Sequence, residues 1–333
     1  MRAMIRFSVL DLVPIVEGSN ARAALARAAE FAAHAETLGF QRYWVAEHHG
    51  MPGIASAATA VVLAHIGQAT SRIRIGAGGI MLPNHAPLLI AEQFGTLAAL
   101  FPGRVDLGLG RAPGSDQRVA QAMRRTLNGG PDEFPRDVME LQAYFAGDAR
   151  LGFQATPGAG EDVRLWILGS SLYGAQLAAA LGLPYAFASH FAPAALEEAI
   201  AIYRRDFRPS AQLDRPYVMA GYNIFAADTM EEAQLIATSM QQAFVRLRTG
   251  QPGKLQPPVR DYRESLPPGV QAMLADILRA SSIGTQAEVE RDLASFIART
   301  GVDELILGGQ IYDFEARKRS LEIAMAAAKA AAG

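Results

Sequence analysis

Short apolar runs alternate with helix-like segments along the whole chain, and this alternation constrains the fold more than any other feature. The apolar residues of the runs are largely continuous, which is typical of parallel strands covered on both faces. Eight β/α units in one chain predict an α/β fold, a closed (β/α)8 TIM barrel. A doubly wound open sheet is the alternative, and the strand count argues against it. The predicted strands are Ile5–Leu10, Arg42–Ala46, Ile73–Leu82, Val105–Leu109, Leu165–Leu168, Tyr185–Ser189, Tyr217–Phe225 and Glu304–Leu307.

Amphipathic segments between the runs predict the helices. We expect Ser19 or Asn20 to cap the first helix, Gly39 to end it, and Ser56 to cap the second. The predicted helices are Ala21–Leu38, Ala57–Gln68, Pro87–Leu100, Glu133–Phe145, Tyr173–Leu181, Ala194–Phe207, Glu231–Arg248, Gln286–Arg299 and Asp313–Lys329.

The chain exceeds the ~250 residues of a typical barrel, so the excess should form long βα-loop insertions within a single domain, 1–333. Two stretches fit, 111–132 and 249–285. The second contains five prolines and few helix signals before Val270. A long loop in a compact domain is either functional or disordered. We therefore predict that 249–285 is a candidate mobile lid loop, with a plain spacer as the alternative.

Composition excludes several classes of function. The net charge of −2 argues against nucleic acid or an acidic membrane surface as the main partner. The chain has no cysteine, which excludes disulfides, thiolate metal sites and a cysteine nucleophile, and fits a cytoplasmic protein. No signal peptide precedes the first predicted strand. The stretch 165–196 carries no charged side chain, but Gly169, Gly182 and Pro184 interrupt it, so no membrane span is expected.

Arg111 follows the fourth predicted strand, next to Gly110. The planar guanidinium makes two charge-assisted bonds to phosphate, although an arginine in this place can also be simply solvated. The fifth strand ends at Ser170 and Ser171, where a helix begins. Either hydroxyl could cap that helix, whose free N–H groups also form an anion site. Since the two strands are neighbours in a barrel, Arg111 and this helix start could hold one phosphate together.

Glu47, His48 and His49 follow the second predicted strand and form the richest polar cluster of the chain. Adjacent side chains at a strand end point to opposite sides, so at most two of the three face one cavity. We expect Glu47 and His48 near the site, with His48 exchanging a proton near neutral pH. Two alternatives remain: hydrogen bonds that hold the barrel rim, or a zinc site completed by His85, His190 or an acid. We predict no metal.

Glycines interrupt the third predicted strand at 76, 78 and 79. Glycine within a strand marks a bulge or a close approach of a ligand to the backbone. Two successive glycines at a barrel mouth would let a flat ring lie against the chain. A phosphate together with a flat ring indicates a nucleotide-like cofactor.

Four segments, in order and spacing, resemble the bacterial luciferase-like flavin monooxygenases, and within them an uncharacterised bacterial subgroup. The resemblance extends from Ile5 to the last helix. The segments are 46–49 (Ala-Glu-His-His), 78–83 (Gly-Gly-Ile-Met-Leu-Pro), 103–111 (Gly-Arg-Val-Asp-Leu-Gly-Leu-Gly-Arg) and 168–171 (Leu-Gly-Ser-Ser).

This resemblance implies a (β/α)8 barrel that binds FMN non-covalently. It implies that Arg111 and Ser171 hold the phosphate, and that Gly78-Gly79 forms a non-prolyl cis peptide against the isoalloxazine ring. His48 matches the family's catalytic histidine, with Glu47 beside it. Three further residues are expected close to the phosphate, namely Gly169, Ser170 and Gly174.

The resemblance further implies a monooxygenase that uses reduced FMN, supplied by a separate flavin reductase, and molecular oxygen on a small organic substrate. Gly110 stands where the luciferases carry a reactive cysteine, and Gly174 replaces a hydroxyl residue. Light emission and a long-chain aldehyde substrate are therefore not expected. The alternatives are an F420-dependent dehydrogenase of the same barrel family and a non-catalytic flavin-binding protein. A cytoplasmic homodimer is expected, with Ala57–Gln68 as a candidate interface helix.

Overall fold

The computed structural model describes residues 5–111, 119, 122–123 and 133–331. Eight parallel strands close into a barrel in the order β1, β2, β3, β4, β5, β6, β7, β9 and back to β1. The predicted barrel is confirmed. The strands are β1 (Arg6–Asp11), β2 (Arg42–Val45), β3 (Arg74–Met81), β4 (Val105–Gly110), β5 (Arg164–Gly169), β6 (Tyr185–Phe187), β7 (Val218–Ala226), β8 (Ser281–Gly284) and β9 (Glu304–Gly308).

The helices of the described residues agree with the predicted ones to within about two residues, and one more is present. They are α1 (Ala21–Leu38), α2 (Thr59–Gln68), α3 (Pro87–Leu100), α4 (Phe134–Ala146), α5 (Leu172–Leu181), α6 (Leu196–Asp206), α7 (Met230–Arg248), α8 (Pro268–Ile277), α9 (Gln286–Thr300) and α10 (Phe314–Ala331). None of the described helices is long and apolar enough to cross a bilayer.

The predicted insertion 249–285 is not a continuous loop. It contains α8 and the short strand β8, which pairs with the C-terminal half of β7 from Asn223 to Ala226. The N-terminal half of β7 pairs with β6 and β9, so β7 extends past the barrel mouth and carries β8 there. Most of the other predicted insertion, 111–132, lies outside the described residues.

One of the predicted N-terminal helix caps is present in the structure and another is not. Asn20 caps α1, because its Oδ1 accepts the N–H of Ala23 at 3.1 Å, and Gly39 ends that helix at a φ of 92°. The prediction that Ser56 caps the second helix is wrong, since α2 begins at Thr59. The Ser56 hydroxyl instead donates to the Ala46 carbonyl at 2.5 Å, which ties the loop to the end of β2.

Charged side chains close the N-terminal end of the barrel. The Arg42 guanidinium lies 2.8 Å from Asp106 and 2.9 Å from Glu304, and Arg74 approaches Asp106 to 2.7 Å. Burial alone would raise the pKa of Asp106, but the two arginines hold it below the ordinary value. Above this layer the interior is filled by apolar side chains that include Trp44 and Trp166. Only the C-terminal end therefore remains for a ligand.

A second, smaller core lies around the C-terminal end of β7. Phe225 packs there against α7 and α8, through residues such as Phe244 and Leu274. The segment 251–257, here named the strap, runs back from α7 to the loop that follows β1. The N–H of Leu255 donates to the Ile15 carbonyl at 2.9 Å, and the N–H of Glu17 donates to the Leu255 carbonyl at 2.8 Å. The start of the predicted lid is thus tied to the barrel rim.

Candidate functional site

Glycine occupies inward-facing positions at the C-terminal end of the barrel. A Cβ built on Gly78 would lie 2.9 Å from the Trp44 ring, and one on Gly108 would lie 2.6 Å from Leu168. The side chains of Trp44 and Leu168 already fill the interior below the mouth, so larger residues do not fit at these two positions. The strand ends therefore present backbone to the mouth, as contact with a flat ring requires.

The end of β3 has the local geometry that the sequence predicted. The peptide bond between Gly78 and Gly79 is cis, which confirms that prediction. The pairing of β3 with β4 also shifts register between Gly78 and Ile80. Whether a cofactor ring lies against this segment stays a prediction.

Arg111 lies beside the first turn of α5. Its guanidinium carbon stands 4.1 Å from the centre of the Tyr173 ring, and β4 pairs with β5 so that Gly110 lies opposite Leu168. Arg111 has no carboxylate partner among the described residues. The structure thus places a stacked cation at the N-terminus of a helix, where the helix dipole also favours an anion.

Ser171 occupies the N-cap position of α5, yet its side chain makes no capping hydrogen bond. The expected cap by Ser170 or Ser171 is therefore absent, and no side chain of the described residues occupies the first N–H groups of α5 as a cap. Gly169 and Gly174 let the end of β5 approach the helix closely: a Cβ on Gly174 would lie 3.5 Å from the Cα of Gly169. These residues fit a phosphate, since they offer N–H groups, a hydroxyl and a guanidinium at the start of one helix.

Glu47 is fully buried and accepts three hydrogen bonds. Its Oε1 lies 2.5 Å from His49 Nε2 and 2.8 Å from His85 Nε2, while Oε2 accepts the Met81 N–H at 3.0 Å. Burial alone would raise the pKa of Glu47, but these bonds, led by that from His85, hold it below the ordinary value of 4.5. Glu47 is therefore a carboxylate near neutral pH, bound to the end of β3. We name Glu47, His49 and His85 the rim cluster.

The sequence analysis paired Glu47 with His48, whereas the structure pairs it with His49 and His85. The signal for His49 was present, because side chains two apart at a strand end share a side. His85, from the segment after β3, was named only as a possible third ligand of a zinc site, and its hydrogen bond to Glu47 was not predicted. His48 is half-buried on the same rim, and its catalytic role stays a prediction.

The rim cluster also meets the distance requirement for a metal site, since its three ligand atoms lie within 4.8 Å of one another. However, one carboxylate oxygen lies at hydrogen-bond distance from both imidazoles. The three side chains therefore satisfy one another without a metal ion. We interpret the rim cluster as a hydrogen-bonded network that holds β2 against β3.

Comparisons with known proteins cover nearly the whole chain. The model of a family described as luciferase-like monooxygenase matches residues 5–304. A luciferase-like monooxygenase of Escherichia coli K12 is 52% identical over 322 residues, which are 96% of each chain. The N-acetyl-S-alkylcysteine monooxygenase of Bacillus subtilis 168 is 30% identical and covers 91% of this chain and 92% of its own. The crystal structure of apo-MsnO8 has a TM-score of 0.87 at 32% identity, over 97% of this chain and 98% of its own.

Proposed function

Since the chain belongs to the luciferase-like monooxygenase family, we propose that it is a flavin-dependent monooxygenase. It uses reduced FMN and molecular oxygen to oxidise a small organic substrate. One observation carries the proposal. Arg111 and the uncapped start of α5 form an anion site at the same barrel mouth as the bare backbone of Gly78 and Gly79.

In this proposal the FMN phosphate binds between the Arg111 guanidinium, the Ser171 hydroxyl and the first N–H groups of α5. Ser170 lies beside the phosphate, and Gly169 and Gly174 keep the space around it free of side chains. The isoalloxazine ring lies against Gly78-Gly79. The phosphate oxygens would accept the free N–H groups of α5, as the oxygen of a capping side chain does in an ordinary helix.

The reduced flavin, when bound, supplies the electrons that activate oxygen. The protein holds the ring, excludes water and moves a proton. His48 is the residue we propose for proton transfer, because an imidazole exchanges a proton near neutral pH. Glu47 acts beside it: by accepting the Met81 N–H it fixes the end of β3, on which the ring would rest.

The lid that we propose within 249–285 is limited in extent. The strap is anchored at Leu255, and the Val259 N–H donates to the Thr238 hydroxyl at 2.9 Å. Helix α8 begins at Pro268. Arg260 pairs with Glu231 and Leu266 packs against the second core. We propose that residues 261–265 between these points open and close, which would exclude water during the reaction.

The substrate class and the partners are proposals as well. The name of the Bacillus subtilis relative makes a thioether of the N-acetyl-S-alkylcysteine type a reasonable first probe. We propose a cytoplasmic enzyme that receives reduced FMN from a separate flavin reductase. We also propose a homodimer, in which exposed apolar residues of α2 and α3 meet a second copy.

The test is an anaerobic titration with FMN and F420, each oxidised and reduced, followed by fluorescence and absorbance. We expect reduced FMN to bind most tightly. Arg111→Leu should lower the affinity for reduced FMN by at least roughly tenfold, about 1.4 kcal/mol. Arg150→Leu is the control, because that side chain is 90% exposed and pairs with Asp148. Preference for F420 would favour the dehydrogenase alternative. FMN binding with no oxygen consumption beyond that of free flavin would favour a non-catalytic protein.

A further inference from the structure

His190 follows β6, and its ring lies inside the barrel mouth. Met219 on β7 faces the interior, so Gly221, two residues further on, faces the interior too. A Cβ built on Gly221 would lie 1.9 Å from His190 Nδ1. The imidazole therefore occupies the space that a side chain at position 221 would fill. Glycine is required there for the ring to enter.

Two side chains hold this loop in place. The Ser189 hydroxyl donates to the Gly221 carbonyl at 2.6 Å, and the buried Asn223 amide donates to the His190 carbonyl at 2.9 Å. Both bonds connect the end of β6 to β7. The position of the His190 ring is thus fixed by its neighbours on both sides rather than left to a free rotamer.

The surroundings of the ring determine where its proton lies. Nδ1 is buried and has no hydrogen-bond partner among the described residues. Burial lowers the pKa of His190 to about 4, so the imidazole is neutral near pH 7. A buried N–H without an acceptor is rarer in proteins than an unused acceptor, which favours the tautomer protonated on Nε2. Because the residue as a whole is partly exposed, we take the Nε2 edge of the ring as the one that faces the mouth.

This edge lies across the mouth from the proposed flavin platform. In the closed ring of eight strands, β7 is four strands away from β3 in either direction. Phe191, which is 43% exposed, adds apolar surface next to His190 and packs on Phe244 at 5.9 Å between ring centres. A molecule between β3 and β7 would meet backbone and flavin on one side, and an N–H donor beside an aromatic ring on the other.

We propose that His190 is a substrate-contacting residue that donates a hydrogen bond from Nε2–H to a carbonyl or carboxylate oxygen of the substrate. The substrate class is then an organic molecule in which such an oxygen stands close to an apolar group, the latter resting on Phe191. The inference rests on the proposed function, because it takes the barrel mouth to be the substrate pocket. It adds that the substrate carries a hydrogen-bond acceptor at this place.

The first test measures the tautomer directly. Long-range ¹⁵N–¹H NMR spectra of histidine-labelled protein, with and without FMN, are recorded from pH 5 to 9. We expect His190 to stay neutral and protonated on Nε2 throughout this range. Titration of His190 near 6.5, or a proton on Nδ1, overturns the proposal. This result does not depend on FMN binding, so it is separable from failure of the proposed function.

The second test measures binding of cyclohexanone, hexanal and N-acetyl-S-benzylcysteine to the FMN-loaded protein. We expect at least one of these probes to shift the His190 signals. His190→Leu should weaken its binding by roughly tenfold, while His190→Gln, which keeps an N–H donor, should retain most of it. The proposal fails if no probe moves the His190 signals at millimolar concentration, or if the leucine variant binds like the wild type.

Gly221→Ala displaces the His190 ring but leaves the imidazole itself unchanged. It should therefore weaken binding of the probe as much as His190→Leu does. Gly269→Ala is the control, because a Cβ there meets nothing within 4 Å. If Gly221→Ala fails to fold, His190→Ala/Gly221→Ala restores the room and should fold. FMN affinity should stay within about twofold in every variant, since none of them touches the phosphate site. Full probe binding by folded Gly221→Ala would contradict the proposal.

Discussion

Glu47 illustrates how one buried carboxylate can hold two neighbouring segments of a strand rim together. Its two oxygens lie at hydrogen-bond distance from His49, His85 and the Met81 N–H, so partners from two different segments stabilise the carboxylate. A charged acceptor strengthens each of these bonds relative to a neutral one. The rim cluster therefore fixes the end of β3 and the start of the loop after β2 in one arrangement.

Replacing Glu47 by Gln should destabilise the fold by about 1–3 kcal/mol at pH 7, because the amide cannot accept all three bonds as a carboxylate does. The pKa of Glu47 lies below its ordinary 4.5 in the folded protein. The stability that the carboxylate contributes is therefore present above pH 4.5 and is lost as the pH falls further. Urea unfolding of wild type and variant from pH 7 to pH 3.5 checks this. A stability difference that does not shrink below pH 4.5 would contradict it.

At Ser171, an effect on ligand binding can be measured separately from an effect on helix stability. Its side chain makes no cap bond in α5, whereas Asn20 does cap α1. Ser171→Ala should therefore leave the free energy of unfolding within about 0.5 kcal/mol, whereas Asn20→Ala should cost about 1 kcal/mol. Ser171→Ala should nevertheless weaken FMN binding several-fold, and Asn20→Ala should not. Thermal unfolding and FMN titration measure both effects, and the reverse pattern would mean that Ser171 is an ordinary cap.

At the scale of the elements, the strap connects α7 to the barrel rim through close backbone contact. A Cβ on Gly53 would lie only 2.1 Å from the Gly253 carbonyl oxygen. Gly53→Ala must therefore push the strap off the loop that follows β2, while Gly269→Ala disturbs nothing. We expect faster tryptic cleavage after Arg260 and Arg263 in Gly53→Ala, because the segment that follows the strap loses its anchor. Cleavage at the wild-type rate would show that 260–267 is held independently of the strap.

The eight barrel strands could be predicted because each carries a largely apolar run. Such a run can be recognised without knowing which strands lie beside it. β8 could not, since Ser281 and Ser282 carry no apolar pattern and the strand exists only because β7 projects beyond the barrel. The cis peptide at Gly78-Gly79 was implied by the family resemblance, whereas the closeness of Arg111 to α5 followed from strand order. The partnership of Glu47 with His85 did not, because it depends on how the loop after β3 folds back. Local pattern thus predicts the strands, and contacts between loops complete the site.

The whole molecule keeps apolar side chains on its surface outside the mouth. On the adjacent helices α2 and α3, Val61 is 71% exposed and Leu89 and Leu100 are each 54% exposed. Exposed apolar groups on two neighbouring helices can form an association surface. The net charge of −2 opposes association only weakly. These features support the proposed homodimer through α2 and α3.

Val61→Glu should therefore dissociate the homodimer, because a charge buried in an apolar interface without a partner carries a large desolvation cost. Sedimentation equilibrium should give about twice the mass of the chain for the wild type and the single-chain mass for the variant. Val259→Glu is the matched control, since Val259 is also exposed but lies beyond the strap, away from α2. FMN affinity should remain unchanged in Val61→Glu, because its site is built from one chain. A monomeric wild type would contradict the proposed homodimer. A dimeric Val61→Glu variant would show that α2 is not part of the interface and that its exposed valine has no role in assembly.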